Sequence, residues 1–450
     1  MVAKQVLIYG LLWMSLASQV LAAEHYMVHS FQKVQLSDQF LCEGANFGDF
    51  NHDEVMDIVA GPYWYAGPDF TERHEYYKAK VFDVSVFSDN FFAFPHDVNQ
   101  DGWTDIVMVG FPGKEAWWFA NPQGKSERWD RHLIMKVVDN ESPTLTDLTG
   151  DGRPELVCCT GGQLGYAEMP IGDPTQPWPF HSISPNRGYQ RFTHGLGIGD
   201  VNGDGRLDVL EKDGWWEQPA ATAKVEFWPL HEVEFSKPRG GAQMFAFDVD
   251  GDGDHDVVTS KNAHGYGLSW FENVAGPSQP VKFKEHRIMG NRPEQNEYGV
   301  VFSRLHAVDV VDMDHDGVLD IVTGLRHSAS LDRKVSPSVI YWFQTTRQGG
   351  KTRFIPHRVD ANSGVGTQVV AGDLNGDKWP DIVVANKQGT FVFIHHTQEV
   401  DQKTWEAAQP VPTARRNTVP RGGRQSFAPT GEPSAVAGID SKSQTIRTSD

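Results

Sequence analysis

Seven short segments of the sequence place oxygen-bearing side chains at alternate positions of a turn. They follow the pattern D-x-[DN]-x-D-G-x-x-D, in which positions 1, 3, 5 and 9 carry oxygens and glycine at position 6 permits a sharp bend. Several hard oxygens around one point are the ligands that Ca²⁺ prefers. A single copy could be a solvated acidic turn, because aspartate and glycine favour turns anyway. Seven copies at intervals of 48 to 64 residues predict a set of calcium loops.

The predicted calcium ligands are the residues at positions 1, 3, 5 and 9 of each segment. They are Asp49, Asn51, Asp53 and Asp57; Asp97, Asn99, Asp101 and Asp105; Asp147, Thr149, Asp151 and Glu155; Asp200, Asn202, Asp204 and Asp208; Asp248, Asp250, Asp252 and Asp256; Asp312, Asp314, Asp316 and Asp320; and Asp373, Asn375, Asp377 and Asp381. The first and last segments carry Glu54 and Lys378 in place of the glycine. Left-handed backbone at a residue with a Cβ atom costs roughly 1–2 kcal/mol, so we expect these two segments to bind calcium most weakly.

A second set of candidate ligands is expected at the opposite end of the strands that precede the acidic segments. The residue six positions before each segment defines one level of the repeat, made of Glu43, Phe91, Glu141, His194, Ala242, His306 and Thr367. The two glutamates and two histidines of this level are potential metal ligands. Loops that carry His264, Arg326 and His327 are predicted on the same face, where long loops often carry function. The alternative is a hydrated channel without a function.

The elements that must position these residues repeat with a period near 50 residues. An apolar strand precedes each acidic segment, a β-rich strand such as DIVMVG follows it, a tryptophan-rich strand such as AWWFAN comes third, and an aromatic-histidine strand comes fourth. Seven copies predict an all-β, seven-bladed β-propeller over residues 23–397. The last repeat lacks a fourth strand, and HYMVHSF near the N-terminus can supply it and close the ring.

The two ends of the chain have different compositions from the repeats. Residues 1–22 combine Lys4, an apolar run and small residues, which predicts a secretory signal peptide and export. A membrane anchor is the alternative, but the apolar run is short for a bilayer. Residues 398–450 are rich in Pro, Ser, Thr, Gly and Arg, so they are predicted to form a disordered tail.

Charge and cysteine content exclude several classes of function. The formal net charge of −19 argues against nucleic acid or an anionic membrane surface as the main partner. Three cysteines, two of them adjacent, do not indicate a disulfide scaffold or a zinc ribbon. Outside the N-terminal run, no segment approaches the length of a membrane span. The partners we expect are a carbohydrate or an extracellular protein.

The repeated pattern resembles that of the FG-GAP/VCBS repeat family, whose calcium loops also occur in the propellers of integrin α subunits. This resemblance covers about residues 24–397 and implies a calcium-stabilised propeller. Three stretches are similar to secreted bacterial propellers related to the propeller domain of fungal aldos-2-ulose dehydratases: KNAHGYGLSWFEN (261–273), LHAVDVVDMDHDGVLDIVTGLRH (305–327) and SGVGTQVVAGDLNGD (363–377). The second resemblance implies a zinc-containing cleft and the removal of water from oxidised sugars.

Two functions from different classes fit these features. The first is an exported, calcium-stabilised propeller that binds a carbohydrate or related extracellular ligand on the face opposite the calcium loops. The alternative is a zinc-dependent lyase for keto sugars, in which His194, His306 and one of the two glutamates hold the zinc. His264 or His327 would then abstract the acidified α-proton, and Arg326 is a further candidate catalytic residue.

Overall fold

The structure is a computed structural model, and it describes residues 26–125, 127–276, 279–327 and 338–413. The predicted signal peptide (1–22) and residues 414–450 of the predicted tail lie outside these ranges. Within them, no helix has the length and apolar character needed to cross a membrane.

The described residues form twenty-eight β-strands, one α-helix and one 3-10 turn. The first thirteen strands are β1 (Tyr26–Ser37), β2 (Ala45–Gly48), β3 (Asp57–Ala60), β4 (Tyr63–Tyr65), β5 (Arg73–Glu75), β6 (Phe92–His96), β7 (Asp105–Val109), β8 (Lys114–Ala120), β9 (Asp130–Val138), β10 (Thr144–Thr146), β11 (Glu155–Thr160), β12 (Gln163–Ala167) and β13 (Phe180–Ser182). The others are β14 (Leu196–Gly199), β15 (Asp208–Glu211), β16 (Gly214–Trp216), β17 (Leu230–Glu232), β18 (Met244–Phe247), β19 (Asp256–Ser260), β20 (Leu268–Asn273), β21 (Phe283–Met289), β22 (Val308–Val311), β23 (Asp320–Gly324), β24 (Ile340–Gln348), β25 (Lys351–Asp360), β26 (Val369–Gly372), β27 (Asp381–Asn386) and β28 (Gly389–Val400). The helix α1 is Gln402–Ala408, and the 3-10 turn is Pro293–Gln295.

Neighbouring strands within each four-strand set are antiparallel, and the protein is an all-β chain with a β-propeller arrangement. Five sheets have four strands each: β2–β5, β6–β9, β10–β13, β22–β25, and β26–β28 with β1. The second strand of each set, such as DIVMV in β7, is buried along its length apart from Thr160 at the end of β11, because the sheets pack against one another on both faces.

The structure has five separate four-stranded blades instead of the predicted seven, because the remaining strands, β14 to β21, form one eight-stranded sheet. The two halves of this sheet join where Gly197 and Ile198 pair in parallel with Met244 and Phe245. A Cβ atom on Gly197 would lie 2.0 Å from the Met244 carbonyl oxygen, so only glycine permits this approach.

All seven acidic segments lie between the first and second strands of a four-strand set, at one end of the sheets. The position-9 carboxylate anchors the turn. In the second segment, Asp105 accepts hydrogen bonds from the backbone N–H of Val98 at 2.9 Å and of Asn121 at 2.7 Å, so it ties the turn to the end of the third strand. Equivalent pairs of bonds form at Asp57, Asp208, Asp256, Asp320 and Asp381.

The N-terminal strand lies beside the last repeat. β1 pairs antiparallel with β28 from Tyr26 opposite Val400 to Ser37 opposite Thr390. The predicted start of the disordered tail at residue 398 is therefore wrong, because β28 continues to Val400 and the helix α1 follows it. Asp401 caps this helix by accepting the Thr404 N–H at 2.8 Å, and the Trp405 ring lies 5.4 Å from the Tyr26 ring.

Candidate functional site

The seven residues that precede the acidic segments by six positions lie one to three residues before the first strand of each set, and all are buried. We call them the axial level. Backbone hydrogen bonds connect several of them to the next repeat: Thr367 N–H donates to the Glu43 carbonyl at 2.8 Å, and Glu141 N–H donates to the Thr193 carbonyl at 2.9 Å. Each repeat therefore places its residue of the axial level at the same end of the fold.

Arg326 is clamped between the two glutamates of the axial level. Its guanidinium donates to Glu43 Oε2 and, at 3.3 Å, to Glu141 Oε2. All three side chains are buried. Burial raises the pKa of Glu141, and the charge of Arg326 opposes that shift. The two carboxylates predicted as zinc ligands are thus engaged by Arg326, which itself was predicted as a catalytic residue.

Three histidines from three different repeats meet beside this clamp. The Nε2 atoms of His194 and His264 are 3.0 Å apart, and the His306 ring lies 5.2 Å from the His194 ring and 4.6 Å from the His264 ring. One nitrogen from each ring lies within 4.8 Å of the others, which is compatible with one metal ion. The sequence predicted two of these histidines as ligands and His264 as a base, whereas the structure groups all three.

The environment keeps these imidazoles neutral, which is the form that binds metals. Burial lowers the pKa of His194 to about 3, with a further contribution from Arg326. Partial desolvation of its ring lowers the pKa of His264, whose side chain keeps an exposed edge, to about 4, and burial lowers the pKa of His306 well below its ordinary value. His306 Nδ1 lies 3.3 Å from the Arg304 carbonyl; a proton donated there leaves a lone pair on Nε2. Among the described residues, this buried Nε2 has no hydrogen-bond partner.

His327 lies elsewhere on this face. Its Nδ1 is 2.8 Å from the Ser338 hydroxyl, and the residue is not part of the group formed by the other three histidines. His264, by contrast, is exposed in the loop between β19 and β20, so the histidine group is open to solvent on that side. Glu141 Oε1 approaches the group, at 3.8 Å from His194 Nε2.

A row of phenylalanines adjoins the clamp, and the sequence reasoning missed it. We call Phe87, Phe111 and Phe192 the aromatic rim. The Phe87 ring lies 5.8 Å from the Arg326 guanidinium and 5.3 Å from the Phe111 ring, which lies 6.0 Å from the Phe192 ring. Phe87 is 48% exposed and Phe192 is 39% exposed. The available signal was position: Phe192 precedes His194 by two residues, and Phe87 and Phe111 lie in loops of the same face.

The side chains at positions 1, 3 and 5 of the acidic segments are more solvated than the axial level, whereas the position-9 carboxylates are buried. In three of them, carboxylate oxygens lie within 4.8 Å of one another: Asp147, Asp151 and Glu155; Asp248, Asp250 and Asp256; and Asp312, Asp314 and Asp316. Backbone conformation at position 6 follows the sequence expectation. Glu54 has φ 67° and Lys378 has φ 78°, both in the left-handed region, where the other five segments have glycine.

Replacing Lys378 with glycine is expected to increase the free energy of unfolding by about 1 kcal/mol, because it removes left-handed strain. Urea unfolding measures the change. Gly102→Ala is the matched control: no heavy atom lies within 4 Å of its missing Cβ, so its expected destabilisation reports φ alone. A Lys378→Gly variant less stable than the parent protein would contradict the interpretation.

Comparisons with known proteins agree with the fold. A model of the FG-GAP-like repeat matches residues 97–158, and a model of the FG-GAP repeat matches residues 365–400. No curated protein shows significant similarity to the chain.

Similar solved structures include an Agrocybe aegerita lectin specific for non-reducing terminal N-acetylglucosamine (17% identity, 83% of this chain, 86% of that chain, TM-score 0.41). The V. cholerae biofilm matrix protein Bap1 (11% identity, 83% and 92%, TM-score 0.42) and a rhamnogalacturonan lyase (13% identity, 82% and 72%, TM-score 0.41) are also similar. The two family matches contain three of the acidic segments, so the chain carries FG-GAP repeats in these two stretches and has a β-propeller fold.

Proposed function

We propose that this protein is an exported propeller that binds a carbohydrate on the face formed by the axial level and the aromatic rim. The observation that carries the proposal is the contact between the exposed Phe87 ring and a buried polar centre, at 5.8 Å from the ring to the Arg326 guanidinium. Sugars present apolar C–H faces and polar edges. A site that recognises them combines aromatic surfaces with a few convergent polar groups.

Calcium in the acidic segments is the second part of this proposal. Carboxylates within 4.8 Å of one another, as in the segment of Asp248, Asp250 and Asp256, repel one another unless a cation lies between them. The residues at positions 1, 3, 5 and 9 would hold the ion, which supplies the charge that fixes the turn. These turns stiffen the end of the fold opposite the axial level.

The proposed architecture counts the eight-stranded sheet as two blades, β14–β17 and β18–β21, and takes β1 as the strand that closes a seven-bladed ring. Both halves of that sheet have the strand order of the other blades, and β1 supplies the fourth strand beside β28. Closure of this kind leaves no exposed sheet edge between the ends of the chain.

Retention on immobilised polysaccharides tests carbohydrate binding. We expect the protein to bind at least one of pectin, alginate, xylan and chitin. The double variant Phe87→Ala/Phe192→Ala should bind it about tenfold more weakly, because two ring stacking surfaces are lost. Ile171→Ala, at a site 86% exposed, is the control and should bind like the parent protein. Equal retention of the double variant would contradict the proposal.

A second candidate function, a zinc-dependent lyase for keto sugars, is favoured by the three neutral histidines. We assign His194, His264 and His306 as the zinc ligands in this candidate. Bound zinc would polarise a substrate carbonyl. Glu141 is the residue placed to accept a proton beside this group, since burial raises its pKa and its Oε1 lies 3.8 Å from His194 Nε2.

Zinc binding separates the two candidates. After chelation and zinc titration, we expect one zinc per chain, retained at pH 5, because the lowered pKa values keep the ligands unprotonated where ordinary histidines are charged. His306→Ala should weaken binding at least about 100-fold, whereas His327→Ala should not change it. If His306→Ala does not change the zinc content, the three histidines do not form a zinc site. If the variant His194→Ala/His306→Ala converts 2-keto and 3-keto sugars as fast as the parent protein, the lyase candidate is rejected.

A further inference from the structure

A wide groove lies between the first two four-strand sets. Its volume is about 1440 Å³. One wall is the segment that links β5 to β6, and the other is formed by β8, β9 and the turn before β8. We call it the β5–β6 groove. This volume exceeds that of ordinary small-molecule pockets, so the groove suits an oligomeric ligand.

The groove has an aromatic lining. Tyr77, Phe111 and Trp117 are partly exposed in it, and the exposed Phe87 also lines it. Several solvent-accessible aromatic rings in one groove are an unusual feature of a protein surface, and they mark a binding site for an apolar or amphipathic face.

The groove also concentrates positive charge on a chain whose net charge is −19. Five cationic side chains line it: Lys78, Lys80, Lys114, Arg128 and Arg131. Three carboxylates share the lining: Asp89, Glu115 and Asp130. Arg128 is paired with Glu75 and Arg131 lies 4.6 Å from the Trp117 ring, while Lys78 and Lys114 form no ion pair with any described residue. Two lysines without ion-pair partners, in a lining that also contains aromatic rings, are arranged to receive an anionic ligand.

The groove is continuous with the site already described. Phe87 and Phe111 line the groove and also belong to the aromatic rim, and Phe87 lies 5.8 Å from Arg326. A ligand that lies along the groove therefore reaches the axial level without leaving the aromatic surface.

We propose that the β5–β6 groove binds an acidic polysaccharide, a chain whose sugars bear carboxylate or sulfate groups, and directs it to the axial level. This inference rests on the proposed carbohydrate function and adds the class of carbohydrate. Aromatic faces stack against the sugar rings, and the lysines and arginines pair with the acidic groups. Charge alone would accept an acidic peptide equally, but the row of aromatic rings favours a chain of sugar rings.

Calorimetry with the full chain tests the inference. The probes are a hexamer of galacturonate, the same hexamer with its carboxylates reduced to alcohols, a sulfated galactan hexamer and poly-glutamate. We expect the galacturonate or the sulfated hexamer to bind at least about tenfold more tightly than the reduced hexamer, with the difference falling as salt is raised. Lys78→Ala/Lys114→Ala should weaken the acidic hexamer about fivefold to tenfold and leave the reduced hexamer unchanged. Lys224→Ala/Lys403→Ala removes the same charge from exposed positions elsewhere and should change neither.

Every other result of the calorimetry contradicts either the inference about acidic polysaccharides or the proposed carbohydrate function. Equal affinity for the acidic and reduced hexamers refutes the inference and leaves the proposed carbohydrate function standing. If poly-glutamate binds as tightly as the acidic hexamers, the groove recognises negative charge alone and is a peptide or general anion site. Failure of all three hexamers to bind, together with failure on the immobilised polysaccharides, removes both proposals. Circular dichroism of each lysine variant verifies that it is folded.

Discussion

Chelation with EGTA is expected to lower the melting temperature of this protein by about 10 °C or more. A ligand present at 100 times its dissociation constant stabilises the folded state by about 2.7 kcal/mol per site, and several acidic segments act together. In a chain of this length each kcal/mol shifts the melting temperature by about 2 °C or somewhat less. Differential scanning calorimetry in 1 mM calcium and after chelation measures the effect.

The variant Asp248→Asn/Asp250→Asn/Asp252→Asn removes the charges of one acidic segment. Its melting temperature should therefore fall less on chelation than that of the parent protein. Asp173→Asn, at an exposed carboxylate outside the segments, should keep the full response. Adding calcium back should restore the melting temperature. A thermogram that is identical with and without EGTA would refute the calcium assignment.

The pH dependence of stability should invert when calcium is removed. Burial raises the pKa of Asp105 and Asp208 to about 7 and that of Asp320 to about 8 without metal. The folded chain then binds protons more tightly than the unfolded chain, so metal-free stability should fall as pH rises from about 4 to about 8. Calcium favours the ionised carboxylates and should give the opposite trend. Urea midpoints at pH 5 and 8, with EGTA and with calcium, test both signs.

The repeated parts of the fold could be predicted from the sequence because they depend on local chemistry. An Asp-rich turn with glycine at position 6 forms between two adjacent strands, so its nine residues contain most of the information. The positive φ at Glu54 and Lys378 follows from the same template. The number of separate sheets could not be predicted in this way. The pairing of Gly197 with Met244 joins β14 to β18, and it depends on how closely the backbones of these two strands approach each other.

The site could be predicted only as a set of residues, without their partners. The six-residue offset led to Glu43 and Glu141, yet Arg326 enters from a loop between them in space but distant in sequence, and it converts two candidate ligands into an ion-paired clamp. Exposure of Phe87 is likewise invisible in the sequence, where phenylalanine in a β-rich repeat usually predicts core.

Arg326→Met is expected to destabilise the protein by about 3–5 kcal/mol. The substitution keeps much of the side-chain volume but leaves Glu43 and Glu141 buried without a counter-charge, and breaking a buried pair in this way is costly. Urea unfolding at pH 7 measures the loss. Burial already raises the pKa of Glu141, and removing the arginine raises it further, so the loss should shrink as pH is lowered from 7 to 5 and protonation neutralises the carboxyl.

Two comparisons decide whether orphaned charge causes the loss. Glu43→Gln/Glu141→Gln/Arg326→Met removes all three charges and should recover most of the stability, because neutral amides in the same place have a smaller desolvation penalty. Arg128→Met breaks an exposed ion pair with Glu75 and should cost less than about 1 kcal/mol. If the triple variant is as unstable as Arg326→Met, packing and not charge explains the effect, and the clamp has a steric role. Recovery in the triple variant would instead mean that Arg326 is present to neutralise the two glutamates, which leaves the three histidines as the uncharged, metal-competent part of the axial level.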